Sequence, residues 1–253
     1  QSPNNKELAM LGRTHNYAQF LESFQMAREA GFSNINVDLM FAIPGQSYEG
    51  WIENLRTVAA LGPEHISAYS LIIEEGTPFF RKKLDLPDED TEYRMYEDVA
   101  AVLKEYGYHQ YEISNYAKAG RECRHNEGYW QRKDYLGLGL GAASLLGKER
   151  FSNTSDMQEY LKNSSAPEKI RKNRELLTRE DEMAEFMFLG LRMTQGVSKK
   201  EFQEYFGTAI ENIYGEVLKK YKKQGLLLEE SGRIFLSREG IHVSNAVMAD
   251  FLL

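Results

Sequence analysis

The segments that decide the fold are INVDLMF at residues 35–41 and HISAYSLII at residues 65–73. Both are short apolar runs rich in β-branched and aromatic residues, so each is predicted to be a strand. Between them, residues 48–61 have the spacing of a helix that ends at Gly62-Pro63. This order predicts a right-handed crossover between two parallel strands. Because two parallel strands do not form a stable sheet alone, either later strands complete it or strands before residue 1 do.

Asp38 is a charge inside the first of these strands. It lies near the carboxyl end, where open α/β sheets place their ligands. The alternative is a buried carboxylate that pairs with an arginine or with backbone amides. Before this strand, residues 6–31 have the pattern of a helix. Gln1 and Arg13 lie at the end of the preceding element and are expected to face the same site.

A second group of candidate residues lies at 123–130, which contains the only cysteine, Cys123. His125 is a potential metal or haem-iron ligand, and Tyr129 and Trp130 have rings that could stack on a flat apolar ligand. A structural interpretation is also open, because a His-Asn pair is common in turns and an aromatic pair is common in a core.

The stretch LGLGLG at residues 136–141 places leucine and glycine alternately. In a helix each glycine would cost about 1 kcal/mol relative to alanine. The alternation therefore predicts a strand with leucines on one face and bare backbone on the other, suited to close approach of a flat ligand or another backbone. As a dinucleotide fingerprint it is weak, since no acidic ribose partner follows at the required place.

The last third of the chain has a different pattern. Thr178 is a predicted helix N-cap, two more helices begin near Ser198 and Ile210, and a hairpin turns at Ser231-Gly232. Three helices followed by a hairpin are typical of a winged helix. Acids and bases are balanced in this segment, which favours a structural or docking role over DNA binding. We place the domain boundary at residues 163–167, giving domains 1–165 and 166–253.

Composition excludes several classes of protein. The chain has 253 residues, a net charge of −7 and a single cysteine. The negative charge argues against nucleic-acid binding, and one cysteine excludes an internal disulfide and an all-cysteine metal site, so a reducing cytoplasm is expected. No apolar run reaches transmembrane length and no signal peptide is visible. The chain begins at Gln1 without a methionine, so it is expected to be a fragment of a longer parent.

Ordered motifs along nearly the whole chain carry a family resemblance. They are QS at 1–2, LGR at 11–13, NVDLM at 36–40, PGQ at 44–46, GPEHISAYSL at 62–71, EEGTP at 74–78, YEISNY at 111–116, HNEGYW at 125–130, GLGAAS at 139–144, GLR at 190–192 and GV at 196–197. The chain resembles the latter two-thirds of the oxygen-independent coproporphyrinogen III oxidase-like family of the radical S-adenosylmethionine (SAM) superfamily. The His-Asn-x-x-Tyr-Trp motif resembles the branch proposed to be haem chaperones.

The resemblance implies both a fold and a set of site residues. The fold is α/β, the C-terminal part of a partial (β/α)6 radical-SAM barrel with extra strands, plus a helical winged-helix-like C-terminal domain. The residues matching the family's SAM site are Gln1, Arg13 and Asp38. His125 matches a histidine implicated in haem handling and is expected to contact haem iron, with Tyr129 and Trp130 as further haem contacts.

One departure from the family concerns the iron–sulfur cluster. Members hold a 4Fe-4S cluster on three closely spaced cysteines, and this chain has only Cys123. The cluster, and with it SAM-dependent radical chemistry, is therefore expected in the full-length parent.

The resemblance leaves two functions open. The first is a chaperone that binds haem and transfers it to haem-accepting respiratory proteins, without a transmembrane segment but compatible with peripheral membrane contact. The alternative is a radical SAM oxidoreductase of porphyrin biosynthesis, whose parent oxidatively decarboxylates coproporphyrinogen III to protoporphyrinogen IX.

Overall fold

The computed structural model describes residues 1–253, and its contacts divide the chain into two compact units, Gln1–Cys123 and Arg124–Leu253. The boundary predicted at residues 163–167 lies inside the second unit. The division into domains 1–165 and 166–253 therefore stays a prediction. None of the helices is both long and apolar enough to cross a membrane.

The first unit is built on a four-stranded sheet. Its elements are α1 (Asn5–Met10), α2 (Tyr17–Glu29), β1 (Asn36–Phe41), α3 (Tyr48–Ala60), β2 (His65–Ser70), α4 (Glu89–Glu105), β3 (His109–Glu112) and β4 (Asn115–Ala117). The strand order is β1-β2-β4-β3. β1 and β2 are parallel, as predicted, and the later strands β4 and β3 join the sheet in antiparallel pairing.

The core of this unit lies between the sheet and helices α3 and α4. Apolar side chains alternate along β1 and β2 with polar ones, and the apolar set is buried against the two helices. Trp51 of α3 is fully buried, and its indole N–H donates to the Met95 carbonyl of α4 at 2.9 Å. This packing leaves the other face of the sheet for polar residues.

One predicted helix of the first unit is interrupted. The helix predicted over residues 6–31 is two helices, because Gly12 has a φ of 70° after α1, and α2 then begins at a capping box between Asn16 and Gln19. Further along the chain, β3 and β4 form a hairpin that turns at Ile113 and Ser114.

The second unit contains two three-stranded antiparallel sheets with helices. Its elements are α5 (Arg124–Trp130), β5 (Ala143–Leu146), β6 (Glu149–Asn153), α6 (Met157–Asn163), α7 (Pro167–Ile170), β7 (Arg171–Leu176), α8 (Arg179–Gly190), β8 (Val197–Ser198), α9 (Lys199–Phe206), α10 (Ile210–Lys223), β9 (Leu227–Glu230), β10 (Arg233–Leu236), α11 (Arg238–His242) and α12 (Ser244–Ala249). The sheets are ordered β5-β6-β7 and β8-β10-β9.

The segment from α8 to β10 has the predicted winged-helix pattern. Thr178 caps α8 through a capping box, Ser198 caps α9, and β9 and β10 form a hairpin around Ser231. The short strand β8, between α8 and α9, adds a third strand to the wing. Two short helices, α11 and α12, follow β10.

The prediction that residues 136–141 form a strand is wrong. Gly139 and Gly141 have φ of 105° and 69°, which lie in the left-handed region and not in the extended one. The Asn153 side-chain amide donates to the carbonyls of Gly137 and Gly139, at 3.1 and 2.9 Å. The stretch is therefore a loop held by β6, and the glycines serve its turns.

Candidate functional site

One face of the four-stranded sheet is polar and carries the first group of candidate residues. Asn36 and Asp38 share one side of β1, since alternate residues of a strand point to opposite faces. The parallel register sets His65 beside Asn36 and Ser67 beside Asp38. Four polar side chains of two neighbouring strands therefore lie together.

These side chains form a continuous hydrogen-bond chain. Asn36 Nδ2 donates to Asp38 Oδ1 at 2.6 Å, and Asn36 Oδ1 lies 2.6 Å from His65 Nδ1. His65 Nε2 lies 2.7 Å from the Tyr111 hydroxyl. The register of β3 against β4 shifts between Gln110 and Glu112, and a bulge of this kind re-aims the side chain at its centre, here Tyr111.

Asp38 itself is half-buried and pairs with neither an arginine nor a backbone amide. Its hydrogen-bond partner is the Asn36 amide, which occupies Oδ1. Asp38 is therefore not the buried carboxylate, paired with an arginine or with backbone amides, of the structural alternative. Oδ2 is left to accept a hydrogen bond from a hydroxyl or amino group of a ligand.

The structure brings Gln1 to Asp38 and places Arg13 within electrostatic range. The Gln1 carbonyl accepts a hydrogen bond from the Met40 amide at 2.8 Å. Gln1 and Asp38 line a cavity of about 20 Å³, room for about one water, so a larger ligand would lie on the open polar face. Burial is the main cause that raises the pKa of Tyr69, the charge of Asp38 raises it further, and the charge of Arg13 opposes both.

A buried carboxylate holds the segments around Gln1 in place. Glu7 of α1 is 8% exposed, and its Oε2 accepts hydrogen bonds from Ser2 at 2.6 Å, Asn54 at 2.8 Å and Gln46 at 3.1 Å. Glu7 thereby ties the residue after Gln1 and the loop after β1 to α3.

The residues of this chain do not fit an iron–sulfur cluster. Cys123 is the single cysteine, and no group of three or more histidine, cysteine, aspartate or glutamate side chains is placed to hold a metal ion. Cluster ligation needs several thiolates. No step that uses a cluster can therefore be assigned to residues of this chain.

The second group of candidates lies on α5. His125 and Tyr129 are four residues apart and share a helix face. Their ring centroids are 4.7 Å apart in an edge-to-face contact, and Tyr129 makes a similar contact with Tyr135 at 4.6 Å. His125 is exposed, and neither ring nitrogen hydrogen-bonds to the protein. Its imidazole is accessible to a metal ion or haem iron.

Trp130 lies on a different face of α5 from His125. The Arg192 guanidinium carbon lies 4.4 Å from the centre of the Trp130 ring. Trp130 also lines a cavity of about 580 Å³ together with Phe186 and Met193, and His125 is not part of that lining. The structure therefore brings together His125 and Tyr129 but not Trp130.

Three further residues of this network, Asn36, His65 and Tyr111, were not predicted as site residues from the sequence. A signal for the first two was present: Asn36 shares strand parity with Asp38, and His65 starts the neighbouring predicted strand. Tyr111 could not be assigned in this way because its orientation depends on the bulge.

Comparison with known proteins gives the family. Residues 177–243 match the model of the HemN C-terminal domain. The chain is 37% identical over its full length to "Heme chaperone HemW" of Lactococcus lactis and covers 67% of that protein. It is 38% identical over 97% of its length to "Heme chaperone HemW" of Bacillus subtilis and covers 66% of it. The chain belongs to the HemW branch of the HemN-like radical SAM family. It spans about two thirds of the length of these relatives.

A solved structure agrees with the fold of this branch. The chain superposes on the radical SAM enzyme coproporphyrinogen III oxidase (HemN) from Escherichia coli with a TM-score of 0.82, over all of this chain and 62% of the other. The sequence identity of 20% makes this a statement about fold alone. The predicted fold class, the C-terminal part of a radical-SAM barrel with a winged-helix-like domain, is confirmed.

Proposed function

We propose that this chain carries the haem-binding part of a haem chaperone, with His125 as a ligand of haem iron. The names of the HemW relatives support a haem chaperone. The observation that carries the assignment of His125 is its exposure on α5 with both ring nitrogens unoccupied by the protein. Imidazole is a common axial ligand of haem iron.

Tyr129 is the second haem contact in this proposal. Its ring meets the edge of His125 and can present an aromatic surface beside the bound macrocycle. Trp130, also expected to contact haem, instead packs on Arg192, on a different face of α5 from His125.

An exposed ligand is suited to transfer as well as to binding. Haem held on a surface helix keeps a side accessible to an acceptor protein. We propose haem-dependent respiratory proteins as acceptors, reached by peripheral contact at the membrane. The single cysteine fits a location in the reducing cytoplasm.

We further propose that Gln1, Arg13 and Asp38 hold SAM on the polar face of the sheet. The free Oδ2 of Asp38 would accept a hydrogen bond from a hydroxyl or amino group, and Arg13 would pair with a carboxylate. SAM supplies radical chemistry only with a cluster, whose ligands this chain does not contain.

A haem titration followed by the Soret band tests the haem proposal. The wild-type chain, His125→Ala and the surface control His109→Ala are compared after circular dichroism shows that each is folded. We expect saturable one-to-one binding that only His125→Ala weakens or shifts spectrally. Equal titration curves for all three chains would remove His125 as the ligand.

The alternative function, oxidative decarboxylation of coproporphyrinogen III, is supported by the likeness to HemN in fold alone. Absence of saturable haem binding by a folded chain would favour it. Protoporphyrinogen IX formation by a longer protein containing this chain would then be the decisive assay.

A further inference from the structure

We propose that His65 is a positioning residue for Asp38. In this role His65 holds the Asn36 amide so that the amide NH2 group is donated to the Asp38 carboxylate. The inference rests on the proposed function, in which Asp38 binds SAM. It assigns a role to His65 that neither the sequence motifs nor the comparisons give.

The hydrogen bonds around Asn36 determine which way its amide points. Asn36 Oδ1 receives two partners, His65 Nδ1 at 2.6 Å and the Ser67 hydroxyl at 3.2 Å. An amide oxygen accepts and an amide nitrogen donates, so Nδ2 is left for Asp38 Oδ1 at 2.6 Å. In the flipped orientation the amide oxygen would face a carboxylate, and Asp38 would lose its donor.

The same network determines the tautomer of His65. Because Asn36 Oδ1 can only accept, the ring proton must be on Nδ1. Nε2 is then an acceptor for the Tyr111 hydroxyl, whose oxygen in turn accepts from the Cys123 amide at 3.3 Å. Every donor in this hydrogen-bond network therefore points along it towards the Asp38 carboxylate.

The burial of the network increases away from Asp38. His65 is 4% exposed and Tyr111 6%, while Asn36 is exposed and Asp38 half-buried. The buried residues His65 and Tyr111 therefore hold Asn36, which in turn holds the Asp38 carboxylate where it meets solvent and ligand. Burial lowers the pKa of His65, and the charges of Asp38 and Glu122 oppose this effect only in part. The lowered pKa favours the neutral ring that the hydrogen-bond network requires.

Only one oxygen of Asp38 is engaged by this arrangement. Asn36 holds Oδ1, which favours one orientation of the carboxylate while Oδ2 stays available. A carboxylate held in one orientation binds a ligand without losing rotamer freedom at that step. Since Asn36 is exposed and its bond competes with water, the expected effect on affinity is moderate.

Two isosteric substitutions separate positioning from packing. In His65→Asn the side-chain amide can replace Nδ1 and donate to Asn36 Oδ1. In His65→Gln the longer amide reaches the Nε2 position and Tyr111, but leaves Asn36 Oδ1 without that donor. Calorimetry measures SAM binding to the wild-type chain, both His65 variants and Asp38→Asn.

We expect His65→Gln to weaken SAM binding about three- to tenfold and His65→Asn to restore most of it. Equal weakening in both folded His65 variants would show that the ring only fills space and would overturn the inference. If the wild-type chain binds no SAM, or Asp38→Asn binds it equally well, the SAM assignment itself fails.

A ligand-free measurement distinguishes the two failures. The side-chain NH2 signals of Asn36 in a proton–nitrogen correlation spectrum report its hydrogen bond to Asp38. We expect these signals to move in His65→Gln and in Asp38→Asn, but much less in His65→Asn. Unchanged signals in His65→Gln would overturn the positioning role whatever the outcome for SAM.

Discussion

Arg132 Nε lies 2.7 Å from Glu185 Oε2, which ties the residues after α5 to α8. Glu185 is 4% exposed, and its other oxygen binds Arg150. Arg132 has a φ of 53°, a conformation that a residue with a side chain adopts at a cost. The pair therefore holds a strained turn directly after the helix that carries His125.

Replacing Glu185 by alanine is expected to lower the free energy of unfolding by about 2–3 kcal/mol. The loss leaves Arg150 without its carboxylate and Arg132 with only the Glu182 carboxylate, 3.3 Å away. The value lies between those of buried and exposed pairs because Arg150 is partly exposed. Urea unfolding measures the change. Glu204→Ala, whose carboxylate lies on the surface of α9, is the control, and a similar small change in both would contradict this account.

Tyr129 and Trp130 are expected to respond differently to substitution. Tyr129→Ala removes the ring that meets His125 and should weaken haem binding about three- to tenfold. Trp130→Ala removes packing on Arg192 and should lower the free energy of unfolding by about 2–4 kcal/mol with haem affinity nearly unchanged in the folded chain. Parallel haem titrations and urea curves separate the two effects. A larger loss of haem affinity in Trp130→Ala would place the haem on the Arg192 face.

Two glycines of the wing test the packing of the C-terminal domain. Gly196 and Gly232 both have positive φ, 61° and 75°. A Cβ on Gly196 would lie 2.0 Å from the Ile234 carbonyl oxygen, whereas a Cβ on Gly232 would meet nothing within 4 Å. Gly196→Ala should therefore cost about 3 kcal/mol or more, and Gly232→Ala about 1 kcal/mol. Thermal unfolding of both variants shows which one loses more stability. Equal losses would show that the positive φ, and not the contact with Ile234, determines the cost.

His65 should make stability depend on pH. Burial lowers its pKa in the folded chain, against an ordinary value of about 6.5 in the unfolded chain. The stabilisation is therefore complete above about pH 6.5 and is lost as the pH falls towards the lowered folded pKa.

Relative to His65→Asn, the wild-type chain is expected to lose unfolding free energy between about pH 7.5 and about pH 5. Urea unfolding of both chains at the two pH values measures the difference. A constant difference would mean that His65 does not titrate differently on folding.

The parallel pair and its helix could be predicted because their apolar residues follow the period of each element. The same reasoning failed at residues 136–141, where leucine and glycine alternate as in a strand. There the backbone follows tertiary hydrogen bonds from Asn153 and the left-handed preference of Gly139 and Gly141. Contacts with residues distant in the sequence produce no periodic pattern within residues 136–141, so the loop could not be predicted from that stretch.

The candidate site was predictable in part. Asp38 stood out as a charge in an apolar strand, and its site neighbour Gln1 followed from the family motifs. The orientation of Asp38 depends on His65 and Tyr111, and the latter reaches the site only through a bulge in β3. That Trp130 and His125 lie on different faces could be predicted only if residues 124–130 were known to form a helix, which the motif alone does not show.

Binding of haem iron by the His125 imidazole is the interaction on which the proposed function depends. Its most direct test is the electron paramagnetic resonance spectrum of the ferric haem complex of the wild-type chain and of His125→Ala, with and without added imidazole. The account predicts that His125→Ala loses the spectrum of the wild-type complex and that imidazole restores it. Identical spectra of the two chains without imidazole would show that the iron is held by another residue.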